Sequence, residues 1–356
     1  MNSELLRVVV ADDSGTVRAL LRQWLSPELG FEIVGEAANG RQCVELVLRL
    51  RPAIVVMDMD MPEMNGVEAT REIMCRQPTP ILIFTSSEID KARGVFYEAL
   101  AAGALDIFYK PRLANDEEVN LATSRFRRLL KLLAPIKIIR RCGPSALVPE
   151  PDVRIMSAGP ARPRRLPEIL ALAASTGGPA ALSAVLRQLP AGFPLCTLVV
   201  QHMAAEFMPG FVEWLGQGVK LPVRAAARGQ LARPGDVLVA PGDFHMRLGT
   251  GGRVELEASA PVNSCRPSAD VLFESVAAAS GAGAMGVILT GMGEDGARGL
   301  LSMRRAGALT IAQAESSCVV YGMPKAAADI GAAVHVMELD AIGRFVATLA
   351  LPEGKI

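Results

Sequence analysis

Charge of one sign, aromatic rings and paired cysteines are what this sequence has little of. Lysine plus arginine number 37 and aspartate plus glutamate 37, so the formal net charge is zero. A balanced chain offers no basic field to a nucleic-acid backbone, and nucleic acid is not expected as a partner. Only 4% of the residues are aromatic while 50% are hydrophobic. The apolar content is mostly Ala, Val and Leu, the composition of α/β domains with buried parallel strands. Cys43, Cys75, Cys142, Cys196, Cys265 and Cys318 include no CxxC pair. With no signal pattern in MNSELLRVVV, they read as reduced thiols of a soluble, cytoplasmic protein. The most apolar long stretch, VAAASGAGAMGVILTG, is too rich in glycine to span a bilayer, so no direct membrane insertion is expected. Repeats at solenoid periods are also missing.

What is present is alternation. At 356 residues, two domains are expected rather than one core. In residues 1–133, the strand candidates LRVVVAD, FEIVGEA, AIVVMDM, PILIFTS and ALDIFYK are separated by helical stretches such as SGTVRALLRQWL and GRQCVELVLRLR. Five such units predict a doubly wound parallel sheet. Residues 134–167 are rich in Pro, Arg, Gly and Ser without a sustained period and read as an interdomain linker. Alternation resumes in residues 168–356 with ILALAAS, CTLVVQH, DVLVAPG, MGVILTG, ALTIAQA and AAVHVME, broken by HMRLGTGGRVELE. This predicts a second, Rossmann-like parallel α/β sheet with an antiparallel hairpin around TGG.

Ligands of such sheets sit beyond the carboxyl ends of the strands. Asp12 and Asp13 end the first predicted strand, Asp58 the third, Thr85 the fourth and Lys110 the fifth. Converging carboxylates repel one another unless a divalent cation such as Mg²⁺ joins them. One of them can then attack a phosphoryl group while Lys110 and Thr85 take up charge. The plainer reading, loop acids capping the next helices, does not account for five suitable residues on ordered strand ends. ADDS, MDMDMPEMNG, FTSS and YKP resemble the motifs of response-regulator receiver domains, which are flavodoxin-like in fold. The resemblance implies that Asp58 is the phosphoacceptor and that Asp12 and Asp13 hold Mg²⁺ with it. It also implies a backbone carbonyl of Asp60 as metal ligand, and Thr85 and Lys110 as sensors of the phosphoryl group. Three residues before the lysine, where single-domain chemotaxis receivers carry an aromatic switch, this chain has Ile107.

In the second half, LALAASTGGPAAL stops an apolar run at Ser175, just before a helical pattern. Ser175 can cap that helix, belong to a phosphate-binding turn, or act as a nucleophile. GxGxxG and GxxxxGK[ST] are both missing. A serine nucleophile needs a base, and the base a carboxylate. His202 ends TLVVQH and Asp295 follows VILTG in GMGED; His245, Glu294 and Asp270 compete for the two roles. Gly177 and Gly178 suit a close backbone approach at a helix start, where an oxyanion is favoured. The α/β-hydrolase elbow GxSxG does not fit, because Ala173 fills its first glycine and the order here is Ser…His…Asp.

AASTGGP, QHM, APGDFHM, CRPSADVLFESVA and LTGMGEDG resemble the catalytic domain of the chemotaxis protein-glutamate methylesterases, the CheB family. The resemblance implies Ser175 as nucleophile, His202 as base and Asp295 as the acid that orients it. Backbone amides near Thr176 and Met292 become the oxyanion-hole candidates. Two departures are Ala173, where the family often has glycine, and Cys265, where bulkier residues are common. No cofactor is implied in this domain. The implied activity is hydrolysis of glutamate methyl esters on methyl-accepting chemoreceptors, with deamidation of receptor glutamines. It would be gated by phosphoryl transfer from a chemotaxis histidine kinase. A phosphorylation-gated binding protein is the competing reading, and a transcriptional regulator fits poorly without a basic helix-turn-helix.

Overall fold

The computed structural model describes residues 5–85, 95–111, 116–136, 138 and 168–350. The chain forms two compact units, Met1–Leu147 and Val148–Ile356. From residue 139 on, the expected linker lies outside the described residues, as do Cys142 and the two serines of FTSS.

The N-terminal unit is a parallel sheet of β1 (Leu6–Ala11), β2 (Phe31–Ala37), β3 (Ile54–Met57), β4 (Ile81–Thr85) and β5 (Asp106–Tyr109), in the order β2-β1-β3-β4-β5. This is the flavodoxin-like order, doubly wound as expected. β3 and β4, IVVM and ILIFT, are buried throughout, as central parallel strands covered on both faces must be. The helices are α1 (Gly15–Trp24), α2 (Gly40–Leu50), α3 (Gly66–Arg76), α4 (Val95–Ala102) and α5 (Asp116–Leu133). Ser14 caps α1 by accepting from Val17 N–H, and Asn39 caps α2 by accepting from Gln42 N–H. Asn65 and Glu68 cap α3 reciprocally, satisfying two backbone donors at once. Four of the scarce aromatics cluster here. Phe126 of α5 lies 4.9 Å from Phe108, 5.1 Å from Phe84 and 5.7 Å from Trp24 between ring centroids.

In the C-terminal unit the elements run β6 (Ile169–Ala174), α6 (Gly178–Leu186), β7 (Cys196–Gln201), α7 (Met208–Gln217), β8 (Val223–Ala225), β9 (Val237–Val239), β10 (His245–Leu248) and β11 (Val254–Glu257). Then follow α8 (Ala269–Ser280), β12 (Ala284–Ile288), α9 (Ala297–Arg305), β13 (Leu309–Gln313), α10 (Met323–Asp329), β14 (His335–Met337) and α11 (Leu339–Ala350). Seven strands form one parallel sheet, β14-β13-β12-β6-β7-β9-β8. The chain winds outward from β6 through β7 and then returns to the other side of β6 as β12, so the sheet is doubly wound about β6. β10 and β11 make a separate antiparallel hairpin, His245 opposite Glu257 and Leu248 opposite Val254. Its backbone is tied to α8 by Leu248 N–H donating to Ser275 Oγ at 2.9 Å. β8 is the one strand with no sequence signature. It is three residues long, VRA, and half-exposed at the sheet edge, too short to show a period.

Candidate active site and phosphoacceptor pocket

In the N-terminal unit, backbone bonds between strand ends bring the acids together: Asp12 N–H donates to Ala37 O and Asp58 N–H to Ala11 O. Asp12, Asp58 and Thr85 are buried, whereas Asp13 and Asp60 are exposed. Carboxylate oxygens of Asp12, Asp13 and Asp58 lie within 4.8 Å of one another. Lys110 Nζ stands 2.8 Å from Asp12 Oδ2 and 2.8 Å from Asp58 Oδ1. Burial pushes Asp58 up to about 6 and Asp12 adds to the rise, with Lys110 pulling the other way. Burial disfavours the Lys110 ammonium, but Asp58 and Asp12 outweigh it and raise the group. Gly66 packs so closely on Asp58 O that a Cβ there would strike the carbonyl, and its N–H donates to Met59 O, which closes the 58–66 loop on itself. Three carboxylates facing one ammonium are a hard oxygen-donor set, which fits Mg²⁺. Ile107 stands opposite Ile83 on β4, and Phe108 turns to the aromatic core, so no ring occupies the switch register.

Three strand ends meet at the second site. Ser175 follows β6, His202 follows β7, and Asp295 lies in the loop from β12 to α9. Ser175 N–H donates to Thr290 O at 3.0 Å, and His202 N–H to Ala174 O at 3.0 Å, which fixes the nucleophile candidate between its two partners' strands. Gln201 Nε2 donates to both Ser175 O and His202 O, at 2.9 and 3.0 Å. Ser175 does not cap α6: the cap is Gly177, in the left-handed region at φ 76°, with no side-chain bond. A Cβ at Gly177 would also strike Val319.

His202 Nε2 lies 2.8 Å from Asp295 Oδ2. A carboxylate can only accept, so Nε2 carries the proton and Nδ1 is the basic nitrogen of the neutral ring. Nδ1 faces Cys265 Sγ at 3.8 Å. Among the described residues Ser175 Oγ has no hydrogen bond to His202; such bonds are often long before substrate binds. Burial disfavours the imidazolium, but Asp295 and then Cys265 outweigh it and raise His202 to about 9. Asp295 is itself cradled. Ser268 Oγ donates to its Oδ1 at 2.7 Å, Asn263 Nδ2 to Oδ1 at 3.0 Å, and Ala269 N–H, at the start of α8, to Oδ2 at 2.6 Å. Burial raises the carboxyl, yet His202, Ser268 and the Ala269 N–H together bring it below its usual value.

The competitors are placed elsewhere. His245 is fully buried, its Nδ1 accepting from Ser268 N–H and its Nε2 donating to Ala260 O, so both nitrogens serve the backbone. Glu294 is exposed. Asp270 accepts from Gly299 N–H at 2.7 Å and from Asn263 Nδ2 at 2.8 Å, joining α8 to α9. Of the oxyanion-hole candidates, Thr176 is buried directly before the α6 cap, and Met292 is exposed in the loop after β12. Asn263, Ser268 and the start of α8 were not legible as partners of Asp295, because about thirty residues separate them from it and one of the donors is a backbone amide.

A sequence profile of the CheB methylesterase family matches residues 170–346, and one of the response-regulator receiver domain matches residues 8–119. Protein-glutamate methylesterase/protein-glutamine glutaminase 4 of Myxococcus xanthus (strain DK1622) is 43% identical over 328 residues, 91% of this chain and 91% of that protein. The chain belongs to the CheB methylesterase family. A protein of the same printed name from Geobacter metallireducens (strain ATCC 53774 / DSM 7210 / GS-15) is 40% identical over 352 residues, 98% of this chain and 99% of that one. The crystal structure of the Thermotoga maritima CheB methylesterase catalytic domain superposes with a TM-score of 0.50 at 35% identity, covering 51% of this chain and 98% of that domain. The chain is thus a receiver domain followed by a CheB methylesterase domain, and among the described residues no helix is long and apolar enough to cross a membrane.

Proposed function

We propose that this CheB-family protein removes methyl esters from glutamate residues of methyl-accepting chemoreceptors and deamidates receptor glutamines, under the control of phosphorylation at Asp58. The observation that carries the reading is the short His202–Asp295 pair beside Ser175 at the carboxyl edge of one parallel sheet. The names of the relatives, which span nearly their whole length, support the substrate class.

His202 Nδ1 takes the Ser175 hydroxyl proton as Oγ attacks the ester carbonyl. Backbone amides of Thr176 and Met292 receive the oxyanion, assisted by the start of α6. The proton returns from His202 to the leaving oxygen, methanol departs, and water deprotonated by His202 releases the glutamate from Ser175. With glutamine, ammonia leaves in place of methanol. Asp295 holds the ring with its Nε2 proton inward and stabilises the imidazolium of each intermediate.

In the receiver, Asp12, Asp13, Asp58 and the Asp60 carbonyl would hold Mg²⁺, which neutralises charge as the phosphoryl group approaches. Asp58 accepts that group from a chemotaxis histidine kinase, and Lys110 and Thr85 bind its oxygens. A cytoplasmic location belongs to the same reading.

A fluorophosphonate serine probe tests the site directly. The adduct is expected on Ser175 and is lost in Ser175→Ala and His202→Gln. An adduct on another serine, with Ser175 intact, contradicts the assignment.

A further inference from the structure

The turn before α8 brings a thiol to the nitrogen that the reaction needs. Val262 and Cys265 exchange both backbone hydrogen bonds, at 3.1 and 2.8 Å. Between them Asn263 and Ser264 are both left-handed, with φ of 50° and 62°. This is the mirror-image turn that closes a hairpin tightly, at two residues that are not glycine. Asn263 anchors it, donating from Nδ2 to Asp270 and Asp295 and accepting from Arg298 at Oδ1. Held this way, the half-buried Cys265 puts Sγ 3.8 Å from His202 Nδ1 and 3.4 Å from Asn263 O. Ligand atoms of Cys265, His202 and Asp295 all lie within 4.8 Å of one another, a thiol, base and carboxylate in sequence.

We propose that Cys265 is a modification site of the enzyme: paired with His202, its thiol reacts with hydroperoxides and with soft alkylating electrophiles, and the product shuts off the Ser175 reaction. Because Nε2 is committed to Asp295, Nδ1 is the ring nitrogen that faces the sulfur and holds the thiol's proton as the sulfur attacks. That pairing is what makes a cysteine nucleophilic. With hydrogen peroxide the thiolate sulfur attacks one peroxide oxygen. The S–O bond forms, the O–O bond breaks, and the departing hydroxide takes the Nδ1 proton of His202 and leaves as water. Sulfur is oxidised to the sulfenic acid, and the peroxide is reduced by two electrons. The new S–OH stands against Nδ1, where Ser175 must deliver its proton. Excess thiol reverses the change through a mixed disulfide.

The other described cysteines differ in surroundings. Burial pushes Cys43, Cys196 and Cys318 up to about 12, and Cys75 lies exposed on α3. Reaction is therefore directed to Cys265.

The effect on catalysis rests on His202 serving Ser175; the labelling of the thiol does not. The test uses the full-length protein and reads iodoacetamide alkylation at each cysteine by mass spectrometry at neutral pH. Cys265 is expected to react at least ~10-fold faster than Cys75, and to lose that advantage in His202→Gln. After hydrogen peroxide, a dimedone adduct is expected on Cys265. Methanol release from methylated receptor membranes should fall at least ~10-fold and return with dithiothreitol, while Cys265→Ala keeps its own untreated rate. Alkylation of Cys265 no faster than of Cys75 overturns the proposal, as does equal peroxide inactivation of Cys265→Ala. If the untreated protein releases no methanol, the esterase reading fails, and the alkylation rates still decide the thiol.

Discussion

At the scale of single residues, the chemistry turns on one imidazole whose two nitrogens face different groups. Nε2 is bound to Asp295, which leaves Nδ1 as the nitrogen that would take the Ser175 proton in the proposed reaction. Since His202 is raised to about 9, it is an imidazolium at neutral pH in the resting enzyme. A base is active only when neutral. The rate kcat/KM for methyl-ester hydrolysis should thus climb with pH, roughly tenfold per unit, and level off above the His202 value. Cys265 is one of the groups holding that value up, so Cys265→Ala should move the rising limb to lower pH. A pH-rate profile of the two proteins checks both statements, and a limb that stays in place contradicts the second. Removing the hydroxyl in Ser175→Ala should cost at least ~10³-fold in rate. In the receiver the sign is the same at a lower pH: Asp58, raised to about 6, must be ionised to attack phosphorus, so labelling by a small phosphodonor should decline as pH falls through that value. Ser175, His202 and Asp295 were legible because each stands at or just beyond the end of an apolar strand run. The orientation of the imidazole was not legible, since it follows from Asp295, which Asn263, Ser268 and the Ala269 N–H hold in place.

Secondary elements set how far those residues can drift. Gly177 must be left-handed to let α6 begin within three residues of Ser175, and Val319 leaves no room for a methyl there. Gly177→Ala should destabilise the catalytic unit by roughly 1–3 kcal/mol and lower kcat, as read by urea denaturation and methanol release. In the receiver, Phe126 is fully buried against Trp24, Phe84 and Phe108, and Phe126→Ala should cost about 3–5 kcal/mol in the same kind of denaturation experiment. The strands that position both sites were readable as alternating apolar runs, and the hairpin from its TGG turn. β8 escaped because a half-exposed three-residue edge strand carries no pattern. Ser175 was one candidate cap for α6, and a left-handed glycine, Gly177, caps it through backbone geometry alone.

For the whole molecule, zero net charge and two parallel sheets of aliphatic residues leave recognition to local surfaces rather than to a global field. The receiver and the esterase domain each place their candidate reacting groups beyond the carboxyl ends of their own strands, and the proposed control at Asp58 is the shift of an equilibrium. A swing from 1:99 to 99:1 needs about 5.5 kcal/mol, which makes a partial activation the expected size of response. The central claim, a methylesterase switched at Asp58, is tested most directly by methanol release from methylated receptor membranes. The rates to compare are those of wild type with and without a small phosphodonor and Mg²⁺, of Asp58→Asn, and of Ser175→Ala. The account predicts release that rises with phosphodonor in wild type, stays at its basal level in Asp58→Asn, and disappears in Ser175→Ala. Release from Ser175→Ala at the wild-type rate, or none from wild type carrying phosphoryl on Asp58, would contradict it.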